Sequence, residues 1–336
     1  MITRETPVSV VTLANGRSFV AERGMSILDA ASAAGLVLEH SCRTGRCGSC
    51  KAKVLSGSTA ALRDEASLTV EELADRWILT CTREAEGDLA LDIEDLSALA
   101  GISAKTLPCR IKAITRVASD VVTVELRLPP NAGFAFLAGQ YIDVTGPGGI
   151  KRSYSVASDM RSADKLELHV RQVDGGAMSD YWFAAAKVND LLRFRGPLGT
   201  FFLRELAGLD LIFLATGTGY APVHAMLRRL DALEPSARPA STHLLWGGRV
   251  PRDIYAEPSD CATDVQFTPV LSRADATWAG ARGHVQDVLL AQKPNLANAV
   301  VYACGSDAMI HAARTALIAA GLHPKRFRSD AFVSSD

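Results

Sequence analysis

The chain has 336 residues, 48% of them hydrophobic, which is ample for two or three separate cores and too apolar for a disordered chain. Its 36 basic side chains offset 37 acidic ones, and a net charge of −1 supplies no overall field to hold nucleic acid or an anionic membrane. No run approaches the roughly eighteen apolar residues of a membrane span and the first residues lack a signal-peptide core, so a cytoplasmic location is expected.

Residues 8–21 read as a hairpin: Val8, Val10 and Leu13 precede Asn15-Gly16, a type I′ turn signal, and Ser18-Phe-Val-Ala21 follows it. Ser26 can cap a short helix with Asp29 three residues on, and Ile27, Ala30, Ala31 and Ala34 share one face before Gly35 ends it. The stretch Cys42-Arg-Thr-Gly-Arg-Cys-Gly-Ser-Cys50 comes next, answered by Cys81 further along. Three thiolates in nine residues converge only on a tight loop around a small electron-rich centre, and Gly45 and Gly48 supply the backbone freedom it needs. The spacing of Cys42, Cys47, Cys50 and Cys81 is the plant-type 2Fe–2S pattern. Zinc is the alternative, but structural zinc sites usually bring two separated Cys/His pairs, whereas here three candidate ligands share one loop. Cys109, Cys261 and Cys304 are expected to be free thiols.

Thr69-Val-Glu-Glu72 repeats the capping-box pattern, and the apolar Trp77-Ile-Leu79 leads back to Cys81. Across residues 57–99, 11 acidic side chains stand against Arg63, Arg76 and Arg83, either as a solvated face or as a docking surface for a basic partner. The segment Ser97 to Pro108 lacks strong periodicity, contains Gly101, and reads as a linker. From Arg110 short alternating strands follow, at 121–128, 140–144, 153–156, 165–171 and 191–194, a spacing that predicts a closed antiparallel barrel. From Leu209 the strands become almost wholly apolar, at 211–215, 242–246, 265–270 and 300–303. They alternate with helices at 221–233 and 308–320, which predicts a doubly wound parallel sheet.

Four motifs carry further chemistry. Arg152-Ser-Tyr-Ser155 puts a cation, two hydroxyls and a ring on one barrel strand, suited to an anionic planar cofactor, though any exposed strand can show such a run. Asp174-Gly-Gly-Ala-Met-Ser179 adds glycines before a helix-like stretch whose free N–H groups could receive a pyrophosphate. Leu211 to Pro222 is an apolar strand entering a Gly-Thr-Gly turn that opens a helix, with Pro222 where a dinucleotide fingerprint has its third glycine. Tyr302-Ala-Cys-Gly-Ser-Asp-Ala-Met309 ends another parallel strand, where Cys304 could equally be a small buried residue. No convincing hydrolytic triad is present.

Jointly and in this order, the motifs resemble the single-chain reductases that join a plant-type 2Fe–2S ferredoxin domain to the FAD and NAD domains of ferredoxin-NADP reductase. That group includes reductase components of ring-hydroxylating oxygenases and CDP-deoxyglucoseen reductases. The resemblance implies a multidomain α+β and α/β chain: a β-grasp-like ferredoxin domain over 1–100, an antiparallel FAD-binding β-barrel over 104–205 and a doubly wound NAD(P)-binding domain over 208–336. It implies that Cys42, Cys47, Cys50 and Cys81 hold the cluster. Arg152, Ser153, Tyr154, Ser155, His169 and Val170 would hold FAD, with Gly176, Ala177, Met178 and Ser179 closing over its phosphates. Thr216, Gly217, Thr218, Gly219 and Pro222 would bind the dinucleotide, Cys304, Gly305 and Met309 would line the nicotinamide pocket, and Phe332, in Ser329-Asp-Ala-Phe-Val333, would stand near the flavin. Tyr154, Ser155, Cys304 and Phe332 would border the reacting atoms. Thr216 stands where many close members have glycine. The implied activity is transfer of hydride from NAD(P)H, with NADH favoured, to FAD, and of single electrons through the cluster to an oxygenase or a nucleotide-deoxysugar dehydrase. Arg249 and Arg273 are the cations that could instead select NADPH. The other class of reading is a ferredoxin-like module fused to a nucleotide sensor without turnover, which would not require the complete flavin motif.

Overall fold

The structure is a computed structural model that describes residues 8–93, 95–99, 101–159, 165–258 and 265–332. It divides into two compact units, Met1–Gly101 and Ile102–Asp336. Cys261 and Val333 lie outside the described residues.

The first unit contains β1 (Val8–Leu13), β2 (Ser18–Glu22), α1 (Ile27–Ala33), β3 (Lys51–Ser56), β4 (Thr59–Ala61), α2 (Val70–Ala74), β5 (Trp77–Leu79), β6 (Arg83–Ala85) and β7 (Leu89–Asp92). Five strands form one sheet in the order β2-β1-β7-β3-β5, with β1 and β7 parallel and the other pairs antiparallel. Strict alternation along β1 buries Val11 and Leu13 beside Ile27, Ala30 and Ala31 of α1. The helix caps follow the sequence: the Ser26 hydroxyl accepts from the Asp29 amide, and Thr69 and Glu72 make a reciprocal capping box on α2. Gly35 adopts φ 75°, and the amides of Gly35 and Leu36 return to the carbonyls of Ser32 and Ala31.

Two local expectations are corrected. The hairpin turn is not type I′, because only Gly16 has positive φ. The Leu13 carbonyl accepts from the Gly16 amide and the Leu13 amide donates to Arg17, giving a three-residue loop with glycine in the left-handed position. On α1 the fourth buried residue is Leu28, while Ala34, the C-cap, is exposed as the helix ends.

The second unit begins with a barrel: β8 (Lys105–Ala118), β9 (Val121–Arg127), β10 (Tyr141–Thr145), β11 (Lys151–Ser155), β12 (Lys165–Arg171), α3 (Ala177–Asp180) and β13 (Leu191–Leu198). Its antiparallel sheet runs β11-β10-β13-β8-β9-β12, and the pairing of Val156 with Leu168 brings the two edges together. The expected linker is therefore shorter than the sequence suggested, since β8 already starts at Lys105 and contains Pro108. Residues 105–110 pair with β13, whereas pairing with β9 starts only at Arg110, so Pro108 sits on a stretch with one neighbour, where a missing N–H costs no ladder bond.

A parallel lobe follows: β14 (Asp210–Thr216), α4 (Tyr220–Asp231), β15 (Ser241–Gly248), β16 (Gln266–Leu271), β17 (Ala281–Arg282), α5 (Val285–Ala291), β18 (Ala299–Ser306), α6 (Asp307–Ala319) and β19 (Phe327–Phe332). The order β17-β16-β15-β14-β18-β19 is parallel throughout. Central β14 buries Leu211 to Ala215 on both faces, which is why it reads as a continuous apolar run. Among the described residues no helix is long and apolar enough to cross a membrane.

Candidate functional site

The four-cysteine site is assembled by the β3–β5 ladder. Lys51 pairs with Leu79, and the Thr80 amide donates to the Cys50 carbonyl, so Cys50 and Cys81 leave adjacent strand ends and their sulfurs lie 3.3 Å apart. Within the loop the Thr44 amide points at Cys42 Sγ at 3.3 Å and the Cys42 amide at Cys47 Sγ at 3.5 Å. Arg43, Gly45 and Gly48 all take left-handed conformations. A side chain at Gly45 would run into the Asp64 carbonyl and Thr82, so glycine is needed there for space as well as conformation. Behind the loop Glu65 accepts from Arg83 with both oxygens and from the Thr82 hydroxyl.

Thiol hydrogen bonds from Cys47 and Cys50 hold Cys42 and Cys81 below the ordinary thiol range, and the same bonds push Cys47 and Cys50 up. Four convergent sulfurs, three of them buried and two already disposed to the thiolate, fit a cluster of cationic iron, and amides aimed at sulfur are a known means of tuning its potential. Part of the surrounding acidic run is engaged within the unit. Glu65, Glu72, Asp75 and Asp95 pair with Arg83, Lys51, Lys53 and Arg17, and Glu84 and Asp88 accept from the amides of Gly24 and Val10.

On the barrel, β11 exposes Arg152 and Ser153, half-buries Tyr154 and buries Ser155. The Trp182 indole N–H donates to the Tyr154 hydroxyl at 2.9 Å with the rings edge to face, which fixes the phenol. Ser153 is committed to Asp143 at 2.7 Å, while Arg152, exposed, bonds its neighbour's carbonyl. Gly176 caps α3 without a side-chain bond. Met178 packs in the barrel core against Gly146, and the buried Ser179 hydroxyl accepts from the Val173 amide, so this turn presents Ala177 and Met178 backbone N–H groups rather than side chains. Val170 is likewise a core residue. His169 packs against Tyr220 and bonds Tyr255 and Glu167.

The nucleotide motifs meet along the carboxyl edge of the parallel sheet. Gly217–Gly219 form one 3-10 turn between β14 and α4, with Gly217 at φ 54° and its carbonyl accepting from the Trp246 indole. A Cβ on Gly219 would be driven into the backbone of Cys304, 2.6 Å from its carbonyl carbon. Thr216 is accommodated because Gly305 faces it: the Thr216 hydroxyl accepts from the Ser306 amide where any side chain at 305 would collide. Thr218 is half-buried, Pro222 is buried in the first turn of α4, where its missing N–H is no loss, and Met309 is buried under the Ser306 cap of α6. Cys304 is fully buried, and desolvation followed by the charge of Asp330 pushes its thiol well up. Phe332 stays exposed on β19 beside Ser306.

Arg171 is a site residue that the motifs did not reveal. Its guanidinium comes 3.5 Å from where a Gly217 side chain would stand, and it faces Asp120 at 3.4 Å and Asp253 at 3.6 Å. The alternation of β12, with Leu166, Leu168 and Val170 in the core, puts 167, 169 and 171 on the opposite face. Only the fold shows that this face meets the nucleotide turn. Gly219→Ala should destabilise the chain by about 1–3 kcal/mol or more, since backbone cannot yield as a side chain does. The half-saturating NADH concentration should rise with it. Thermal denaturation and steady-state kinetics check both, and an unchanged Tm would contradict the packing described.

Comparison with known proteins agrees with this geometry. Residues 11–86 match the 2Fe-2S iron-sulfur cluster binding domain, 108–203 the oxidoreductase FAD-binding domain and 213–315 the oxidoreductase NAD-binding domain. The CDP-6-deoxy-L-threo-D-glycero-4-hexulose-3-dehydrase reductase of Yersinia pseudotuberculosis is 41% identical over 328 residues, covering 96% of this chain and 97% of its own length. Reductase component 1 of terephthalate 1,2-dioxygenase from Comamonas sp is 32% identical, with 95% of each chain covered. The crystal structure of the cytochrome P450 reductase GcoB of Amycolatopsis superposes with a TM-score of 0.70 at 30% identity, covering 97% of this chain and 99% of that one. The chain thus belongs to the family of single-chain NAD(P)H-dependent reductases in which a 2Fe–2S ferredoxin domain precedes an FAD-binding barrel and an NAD-binding lobe.

Proposed function

We propose that this chain is the cytoplasmic reductase of a two-component system, with domains at 1–100, 104–205 and 208–336, supplying electrons to a nucleotide-deoxysugar dehydrase. The carrying observation is the convergence of four cysteine sulfurs in one unit with a flavin strand and a nucleotide turn joined through β12 in the other. Identity of 41% to a deoxyhexulose dehydrase reductase, against 32% to an oxygenase component, supports the dehydrase as partner, with a multicomponent oxygenase as the second reading. When bound, FAD takes up hydride from the nicotinamide and passes the two electrons singly to the 2Fe–2S cluster.

The chain's own residues orient and screen these groups. Cys42, Cys47, Cys50 and Cys81 ligate iron. Tyr154, fixed by Trp182, stacks on the flavin ring, Ser155 approaches its reactive edge, Arg152 meets the pyrophosphate, and the α3 amides close over it. His169 and Val170 contribute through their backbone, since their side chains are engaged elsewhere. Gly217, Thr218 and Gly219 admit the dinucleotide with Arg171 beside its phosphates, Thr216, Pro222, Gly305 and Met309 shape that turn from behind, and Cys304 and Phe332 border the nicotinamide. Hydride transfer needs no general base.

The NADH preference rests on the family resemblance. Arg249 and Arg273, both exposed, lie side by side at the ends of β15 and β16, joined by the Arg273 amide and the Arg249 carbonyl, so a 2′-phosphate would be read there. Under anaerobic conditions NADH should bleach the yellow protein, and kcat/KM for NADH should exceed that for NADPH. No bleaching by either nucleotide would leave only the sensor reading, and a tenfold advantage for NADPH lost in Arg273→Ala would reverse the cofactor assignment.

A further inference from the structure

We propose that Glu167, His169 and His224 form a binding site for a divalent ion of the zinc class, clamping barrel strand β12 to helix α4 of the nucleotide lobe. Each residue offers one ligand atom, and the three atoms lie within 4.8 Å of one another. Glu167 and His169 are two apart on β12 and so share the face opposite the barrel core, while His224 comes from α4 across the seam. The imidazole planes are set 5.7 Å apart between centroids.

Both imidazoles are held as metal-binding histidines are held. The Nδ1–H of His224 donates to the Ala157 carbonyl at 2.9 Å, which leaves its Nε2 lone pair free to ligate. His169 Nδ1 lies 3.0 Å from the Tyr255 hydroxyl, and its Nε2 lies 3.0 Å from Glu167 Oε1. Without metal a proton must bridge that nitrogen and the carboxylate; a metal ion takes the proton's place and gains His224 as a third ligand. The roughly 2.0–2.2 Å bonds of zinc require the three atoms to draw closer together, and Glu167, half-buried, leaves a side open for water as fourth ligand. Two imidazoles and one carboxylate suit zinc over magnesium or calcium, and zinc outcompetes ferrous iron at such donors. The site is separate from the four cysteines, which belong to the other compact unit.

The test uses the holoenzyme with FAD and cluster intact. After washing with EDTA it is given one equivalent of zinc chloride and passed through a desalting column, and zinc and iron are measured in the same fractions. Wild type should retain about one zinc per chain with its iron unchanged. Tyr255→Phe, which removes only the group orienting His169, should weaken zinc binding by about tenfold. Glu167→Gln should weaken it further at the same flavin content. Failure of the wild type to retain zinc, retention only as iron is lost, or equal affinity in Glu167→Gln would each overturn the site and leave the seam a hydrogen-bonded contact.

Discussion

Cys81→Ser should remove most of the visible iron–sulfur absorption and of the reduced-state EPR signal, while Cys109→Ser should leave both intact. Cys81 stands two residues beyond β5, and its sulfur lies 3.3 Å from that of Cys50, at the end of the loop that Gly45 and Gly48 shape and behind which Glu65 pairs with Arg83. Losing one thiolate of four leaves the iron under-coordinated, and serine is a poor substitute for a soft ligand. Cys109 belongs to the other compact unit, 1% exposed in the barrel core, where burial pushes its thiol up to about 12. Its replacement by serine should show instead as a loss of about 1–3 kcal/mol in stability, because a hydroxyl is buried there. Spectra and iron content of the two purified variants decide the matter. Loss of the signal in Cys109→Ser with retention in Cys81→Ser would reverse the assignment.

The cluster loop was legible because its signal is local: four cysteines and two glycines must lie at fixed spacings whatever surrounds them. The caps at Ser26 and Thr69 were legible for the same reason, each being made within four residues. Strand periodicity showed the barrel and the parallel lobe, since alternation and continuous burial leave different patterns in the sequence. What stayed hidden depends on which elements face each other. Residues up to Pro108 read as linker because nothing local says that the first half of β8 has a single neighbour. Met178 and Ser179 lie in a phosphate-binding pattern, yet their side chains serve the barrel and their backbone faces out. Arg171 carried no motif at all, and only the packing of β12 on the Gly217 turn shows it at the nucleotide edge. Even the Thr216 substitution makes sense only beside Gly305, 89 positions later, which supplies the missing space.

A chain beginning near Ser103 should fold, bind FAD and oxidise NADH with ferricyanide, which takes electrons directly from flavin, yet fall to background in turnover of the physiological partner and reduce cytochrome c far less well than the whole protein. Among the described residues, the apolar cluster of the first unit reaches to Ile93, and those of the barrel and lobe begin at Leu107. Each side of the cut therefore keeps its own core, as a domain must to fold alone. The position of the cut matters, because β8 starts at Lys105 and its first residues pair with Arg193 to Gly196. Starting at Ser103 preserves that ladder, whereas starting at Cys109 would strip β13 of a partner over residues 193–196 and should give an insoluble chain. The flavin strand, the α3 turn and the Gly217–Gly219 turn all lie beyond the cut, so the hydride half of the reaction is retained while the one-electron exit through the four cysteines is removed. The ratio of ferricyanide to cytochrome c activity, with and without residues 1–102, measures that separation directly. A soluble, flavin-loaded truncated chain that still drove the partner at the full rate would show that electrons leave by a route other than the cluster.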